Sequence, residues 1–260
     1  MAVSDSLFKL IKSLNKTEKG YFKKFSSMHK KGERNNYMKL FDVIDRQEVY
    51  DESKIVILLK KEGFVSHLSV IKNYLYTLIL KSLESYHSSV NMELNKELNH
   101  VEILFNKEQY KECEKIISQA KKQAIKYDKQ IHLLQILSWE SSLARKQNYL
   151  EISENEIVAN YKETSNTIEK YNNVNEYNYL WSLTWIKKDK KGRLNVSELN
   201  EIKQIANHPL FKDESNALSY DALYRFYSFQ TVYQYFCNNY EEAYKNAQKF
   251  VTFMEKYPHK

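Results

Sequence analysis

Glycine and proline are scarce, at four and two residues in a chain of 260. Average usage would supply several times more of each. Hairpins and other turns that need φ > 0 lean on glycine, so a sheet-rich fold is nearly excluded. Gly20, Gly32, Gly63 and Gly192 each stand alone, so neither a dinucleotide-binding GxGxxG nor a phosphate-cradling GxxxxGK[ST] can be written. Cysteine is nearly missing too. Cys113 and Cys237 lie 124 residues apart; they form no C-x-x-C and imply neither a disulfide framework nor a zinc site, as befits a reducing cytoplasm. The longest apolar run is Ile55-Val56-Ile57-Leu58-Leu59, far short of a membrane span. The opening MAVSDSLFKLIKSLNK lacks the continuous apolar stretch of a secretory signal. A cytoplasmic protein without cofactor or membrane partner is therefore expected.

What is present is helical period. The mean hydropathy is −0.67, yet 42 % of residues are hydrophobic, enough for a core. Leu7, Phe8, Leu10, Ile11 and Leu14 form one stripe. Thr17 stands where the cap of a second helix is expected, ahead of Tyr21, Phe22 and Phe25. Gly32 marks a break before a third stripe of Tyr37, Leu40, Phe41 and Ile44. Asp51 caps a fourth helix, which Gly63 closes as a C-cap. Ser66 opens a fifth through Leu83. These five helices make an N-terminal module over residues 1–88. Beyond it the pattern predicts helices over 93–106, 108–127, 131–147, 154–171, 175–190, 197–207, 215–237 and 240–257. Short connections make neighbours antiparallel, and such pairs must stack to cover their apolar faces. The expected fold is all-α, with four irregular helix pairs over residues 92–260.

Two segments align at an offset of 130: Tyr110-KECEKIISQAKKQAIK-Tyr127 and Tyr240-EEAYKNAQKFVTFMEK-Tyr257. Glu112 matches Glu242, Lys115 matches Lys245, and Cys113 stands opposite Ala243. A tyrosine followed three positions later by a small residue resembles the second helix of a tetratricopeptide repeat (TPR). Tyr227 sits where that family's first-helix tryptophan would, Ala247 on a further core position, and Pro258 near its closing proline. The pattern departs from the family where Val101 and Thr231 replace a small residue. It departs again at Ile152, and an offset of 130 is no multiple of about 34. The opening LFKLIKSLNKTEKGYFKKF resembles helical-repeat proteins of Bacteroidetes. The resemblance implies a non-enzymatic TPR-like α-solenoid scaffold that binds a protein or peptide in a superhelical groove. In its register Arg225, Ser228, Val232 and Tyr235 face that groove, while Leu98 and Glu102 replace the polar clamp that grips a peptide C-terminus. The last helix carries Tyr244, Ala247, Phe250, Val251, Phe253 and Met254, a stripe wide enough to meet further repeats of a longer array or a second copy.

The charge is +7, with the largest share in residues 1–50, where 11 basic face 6 acidic residues. Asp51 to Leu83 has the outline of a helix-turn-helix, with Ser66, His67, Ser69, Lys72 and Asn73 near the start of its second helix. The competing function is thus a nucleic-acid-binding regulator that uses Lys54, Lys60, Lys61 and Lys72 on one face, with repeats sensing a ligand. Against it, residues 51–100 balance six basic with six acidic residues.

Enzyme chemistry has little to stand on. Glu84-x-x-His87 and Glu97-x-x-His100 each place a carboxylate and an imidazole on one helix face, as di-iron bundles do. On one helix the two pairs would lie about 20 Å apart; a hairpin near residue 91 could bring them together, and such a site needs a further carboxylate from each of two other helices. They are expected to be solvated, and no metal is expected. The aromatics are abundant, with 21 Tyr, 12 Phe and 3 Trp. Those between Tyr220 and Phe236 surround one helix almost fully, which reads as packing or as a tyrosine-lined groove.

Overall fold

The computed structural model describes residues 3–27, 34–150, 152–188 and 194–257. Gly32, Gly192 and Pro258 lie outside them. Among the described residues every regular element is a helix and none is a strand. The chain divides into two compact units, Met1–Met92 and Glu93–Lys260.

The first unit holds α1 (Val3–Ser13), α2 (Lys16–Ser27), α3 (Arg34–Arg46), α4 (Glu52–Leu58) and α5 (Leu68–Tyr86). Its core draws Leu7 and Ile11 from α1, Phe22 from α2, and Leu40, Phe41 and Ile44 from α3. Ile55 from α4 and Leu75 and Ile79 from α5 complete it, all without exposure. Each contributes about 1.5–3 kcal/mol of burial. The cap of α2 is Asn15, not Thr17. Asn15 Oδ1 accepts from the Glu18 amide and Glu18 Oε2 accepts from the Asn15 amide, so one reciprocal box satisfies two orphan donors. Asp51 caps α4 by accepting from the Lys54 amide. That helix ends at Leu58, short of Gly63, which opens a single 3-10 turn, Gly63–His67, instead of closing a helix.

The second unit contains α7 (Tyr110–Lys126), α8 (Gln130–Lys146), α9 (Glu154–Lys188), α10 (Val196–Ala206), α11 (Tyr220–Phe236) and α12 (Tyr240–Lys256). α6 (Val90–Asn106) leads into it. Tight turns here manage without glycine. Glu108, Asp128 and Asn238 take φ of 60°, 57° and 59°. The amide after each reaches back to the last helical turn, Gln109 to Leu104, Lys129 to Ala124 and Asn239 to Gln234. This is the left-handed helix end that glycine usually fills; Asp and Asn adopt it at lower cost than other residues. A new helix starts on the following residue at Tyr110, Gln130 and Tyr240. The two aligned segments become helices of equal length, α7 and α12. Cys113 and Ala243 are buried in both, and Lys115 and Lys245 pair with Glu112 and Glu242.

A third expectation is corrected as well. The separate helices over 154–171 and 175–190 are a single helix, α9, of 35 residues, about 52 Å long. Asn172-Asn173 does not break it. The Asn173 amide donates to the Asn216 carbonyl and its oxygen accepts from the Leu218 amide. The side chain that could have competed for local backbone is occupied by a distant loop.

Candidate functional site

The groove residues expected on α11 share one side of the helix but differ in availability. Arg225 is half-buried; Nε donates to Asn178 Oδ1 at 2.8 Å, and the guanidinium lies over Trp181 at 5.9 Å and Tyr224 at 5.7 Å. Ser228 is buried and its hydroxyl donates to the Tyr224 carbonyl. Val232 is partly covered, whereas Tyr235 is exposed and meets Tyr240 edge-on. Most of the α11 aromatics serve packing. Phe229 stacks on Phe211 at 3.7 Å, and Tyr227 lies against Phe250 and Phe253 of α12. The Tyr227 hydroxyl donates to Glu214; burial, and then that carboxylate, push its pKa up to about 12.

The cations proposed for nucleic acid differ in exposure. Lys54, Lys60 and Lys61 are exposed. Lys72 is buried, and its ammonium binds Glu52 Oε1 at 2.8 Å and the Tyr50 hydroxyl at 3.4 Å. That side chain holds α5 to α4 and is almost fully covered.

A cleft of about 550 Å³ lies between α7, α8 and the first turns of α9. Lys121 of α7 stands in it, between Glu140 of α8 and Glu163 of α9, each at 2.9 Å. Asn160 of α9 donates to Glu140 Oε2 at 3.0 Å and accepts from the Ser141 hydroxyl at 3.1 Å. Burial pulls the Lys121 ammonium toward neutrality, but the two carboxylates outweigh it and its pKa ends above the ordinary lysine value. The polar floor is therefore self-satisfied. Apolar walls come from Ala144, Ile152, Ile157 and Tyr149, with Arg145 and Glu156 on the lining as well. Three glutamates against Lys121 and Arg145 leave one negative charge in excess. An adjoining cleft of about 360 Å³ shares Lys121, Glu140 and Ile152 and reaches Glu114 and Gln147. These residues gave no sequence signal, since Lys121, Glu140 and Glu163 are paired across three helices, outside the i,i+3 and i,i+4 spacings that a helix pattern reveals.

The two E-x-x-H pairs belong to different units. His87 Nε2 lies 2.7 Å from Glu18 Oε1, and Glu84 is exposed. Glu97 is half-buried, with one carboxylate oxygen enclosed and unpartnered, while His100 faces solvent. Burial, with Glu93 adding to it, raises the Glu97 pKa. Among the described residues no three His, Cys, Asp or Glu side chains come together to hold a metal, and no helix is long and apolar enough to cross a membrane. Compared with known families, with curated proteins and with solved structures, the chain matches none.

Proposed function

We propose that this chain is a non-enzymatic, TPR-like scaffold of the cytoplasm that binds a peptide or protein segment. The observation that carries the reading is the α7–α8–α9 cleft, concave, apolar on its walls and one charge negative on its lining. Such a site takes an apolar side chain beside a basic one. Its polar floor is already paired, so it offers shape and field more than chemistry. The matched helices α7 and α12 and the repeated left-handed turns support the repeat reading. The nucleic-acid alternative loses Lys72 to the interior.

Selection from a displayed random-peptide library tests this, run in parallel on the protein and on Ala159→Trp. Ala159 is exposed and lines the cleft, so the indole fills it without disturbing the core. Enriched sequences should pair Leu, Ile or Phe with Lys or Arg and disappear on the variant. Equal enrichment on both proteins would exclude the cleft as the binding site.

A further inference from the structure

The outer face of α9 is apolar where an exposed helix face should be charged. Its inner face buries Thr167, Tyr177, Leu180 and Thr184 and places Asn173 and Asn178 in hydrogen bonds to neighbouring elements. The opposite face exposes Ile157 by 44 %, Tyr161 by 71 %, Ile168 by 45 %, Tyr171 by 41 %, Tyr179 by 61 % and Ile186 by 67 %. With a turn of 3.6 residues, these six side chains stay within a sector of about 80°. Thr164, Asn175 and Ser182 fill the gaps in the same row. The row then advances by alternating steps of three and four, with one extra step of four between Asn175 and Tyr179. That is the seam of a coiled coil with a single stutter.

We propose that this face pairs with the same face of a second copy, the two α9 helices running antiparallel about a two-fold axis between residues 171 and 172. The row is complementary to itself in that arrangement and in no other register as fully. Ile157 meets Ile186 of the second copy, Tyr161 meets Ser182, Tyr179 meets Thr164, and Ile168 meets Asn175. Large side chains face small or equal ones in every layer, as close packing requires. The interface is isologous, so it closes at two copies. At ~200 Å² for a whole large side chain, the exposed fractions of the six amount to roughly 650 Å² per copy. A standard specific interface needs about 800 Å² per partner, so the row supplies most of that area.

Sedimentation velocity across a wide concentration range reads the assembly directly. A dimer is expected for the full chain. Tyr161→Glu/Tyr179→Glu changes two exposed positions, and it should give a monomer with an unchanged helical spectrum. Cysteine cross-linking fixes the orientation. In a Cys237→Ser background, Asn172→Cys sits at the axis and should oxidise to a linked dimer, whereas Ile157→Cys at one end should not. A monomer at every concentration, or a dimer that survives the double charge, overturns the proposal. Linking at 157 without linking at 172 overturns the antiparallel register. These readouts follow assembly and not peptide binding: Tyr161, Asn172 and Tyr179 lie outside the lining of the cleft, and Ile157 alone belongs to both surfaces.

Discussion

Asp128 and Tyr220, 92 residues apart, meet where the Tyr220 amide donates to Asp128 Oδ2 at 2.9 Å. Asp128 turns α7 into α8 with a φ of 57°, and Tyr220 is the first residue of α11. One carboxylate thus satisfies an orphan amide at a distant helix start while its backbone closes a hairpin. Glu108 performs only the second task. Replacing Glu108 with glycine should raise stability in urea by about 0.5–1 kcal/mol, because glycine adopts the left-handed region without strain. Asp128→Gly gains less relief, because aspartate already takes this conformation at lower cost than glutamate, and it loses a charge-assisted bond of roughly 1.5–3 kcal/mol, so it should be less stable than the parent. An Asp128→Gly protein as stable as the Glu108→Gly protein would show that the link to Tyr220 carries no stability.

Cys113 has no exposure, and its sulfur lies 3.6 Å from the Val101 carbonyl. Cys113→Ala removes only a sulfur and should cost about 1 kcal/mol or less. Cys113→Arg drives a guanidinium between packed helices and should unfold the second unit or lower its melting temperature severely. Calorimetry distinguishes these outcomes, and an equally stable arginine variant would place the residue on the surface.

Much of this architecture is legible in the sequence because it rests on local rules. The periodicity of Leu7 to Leu14 and of Leu68 to Leu83 depends on neighbours three and four residues away, and Asp51 announces itself as a cap by residue type. The pairing of Cys113 with Ala243 comes from an internal match. Two misses are local, Thr17 in place of Asn15 as a cap and Gly63 as a helix end; the others are long-range. Asn172-Asn173 looks like a helix end until Asn173 is seen bound to Asn216 and Leu218. With α9 divided in two, the row from Ile157 to Ile186 cannot be read as one seam. Lys72 looks like a recognition-helix cation because its partner Glu52 is twenty residues away. The Lys121 cleft joins three helices through pairs that no short spacing reveals.

The Lys72–Glu52 pair gives an asymmetric prediction. Lys72 is 6 % exposed and Glu52 49 %. Glu52→Ala leaves a covered ammonium beside the Tyr50 hydroxyl and should cost about 1 kcal/mol or more. Lys72→Met removes the charge while keeping the length of the side chain, and should be nearly neutral in stability. Neither change should alter the retention of the protein on duplex DNA at low salt. A selective loss of retention with Lys72→Met would restore the nucleic-acid reading.

Two glutamates should give the units opposite responses to acid. Glu18 accepts from the Asn15 amide and lies beside His87, and these partners hold its pKa below the ordinary value of 4.5. An unfolded chain takes up that proton more readily, so the stabilisation is present above about pH 4.5 and is lost as pH falls through the lowered value. Glu97 behaves in the reverse sense. Burial comes first, then the Glu93 charge, in raising its pKa above 4.5, so the folded state takes the proton first. Its charge burdens the second unit at neutral pH, and that burden lifts as pH falls through the raised value. Urea midpoints should therefore separate two variants. Glu18→Gln should be less stable than the parent at neutral pH, and the gap should close in acid. Glu97→Gln should be at least as stable as the parent at neutral pH, and the advantage should shrink as pH falls toward 4.5. A Glu97→Gln protein that is less stable at neutral pH would mean that the enclosed oxygen has a cationic partner.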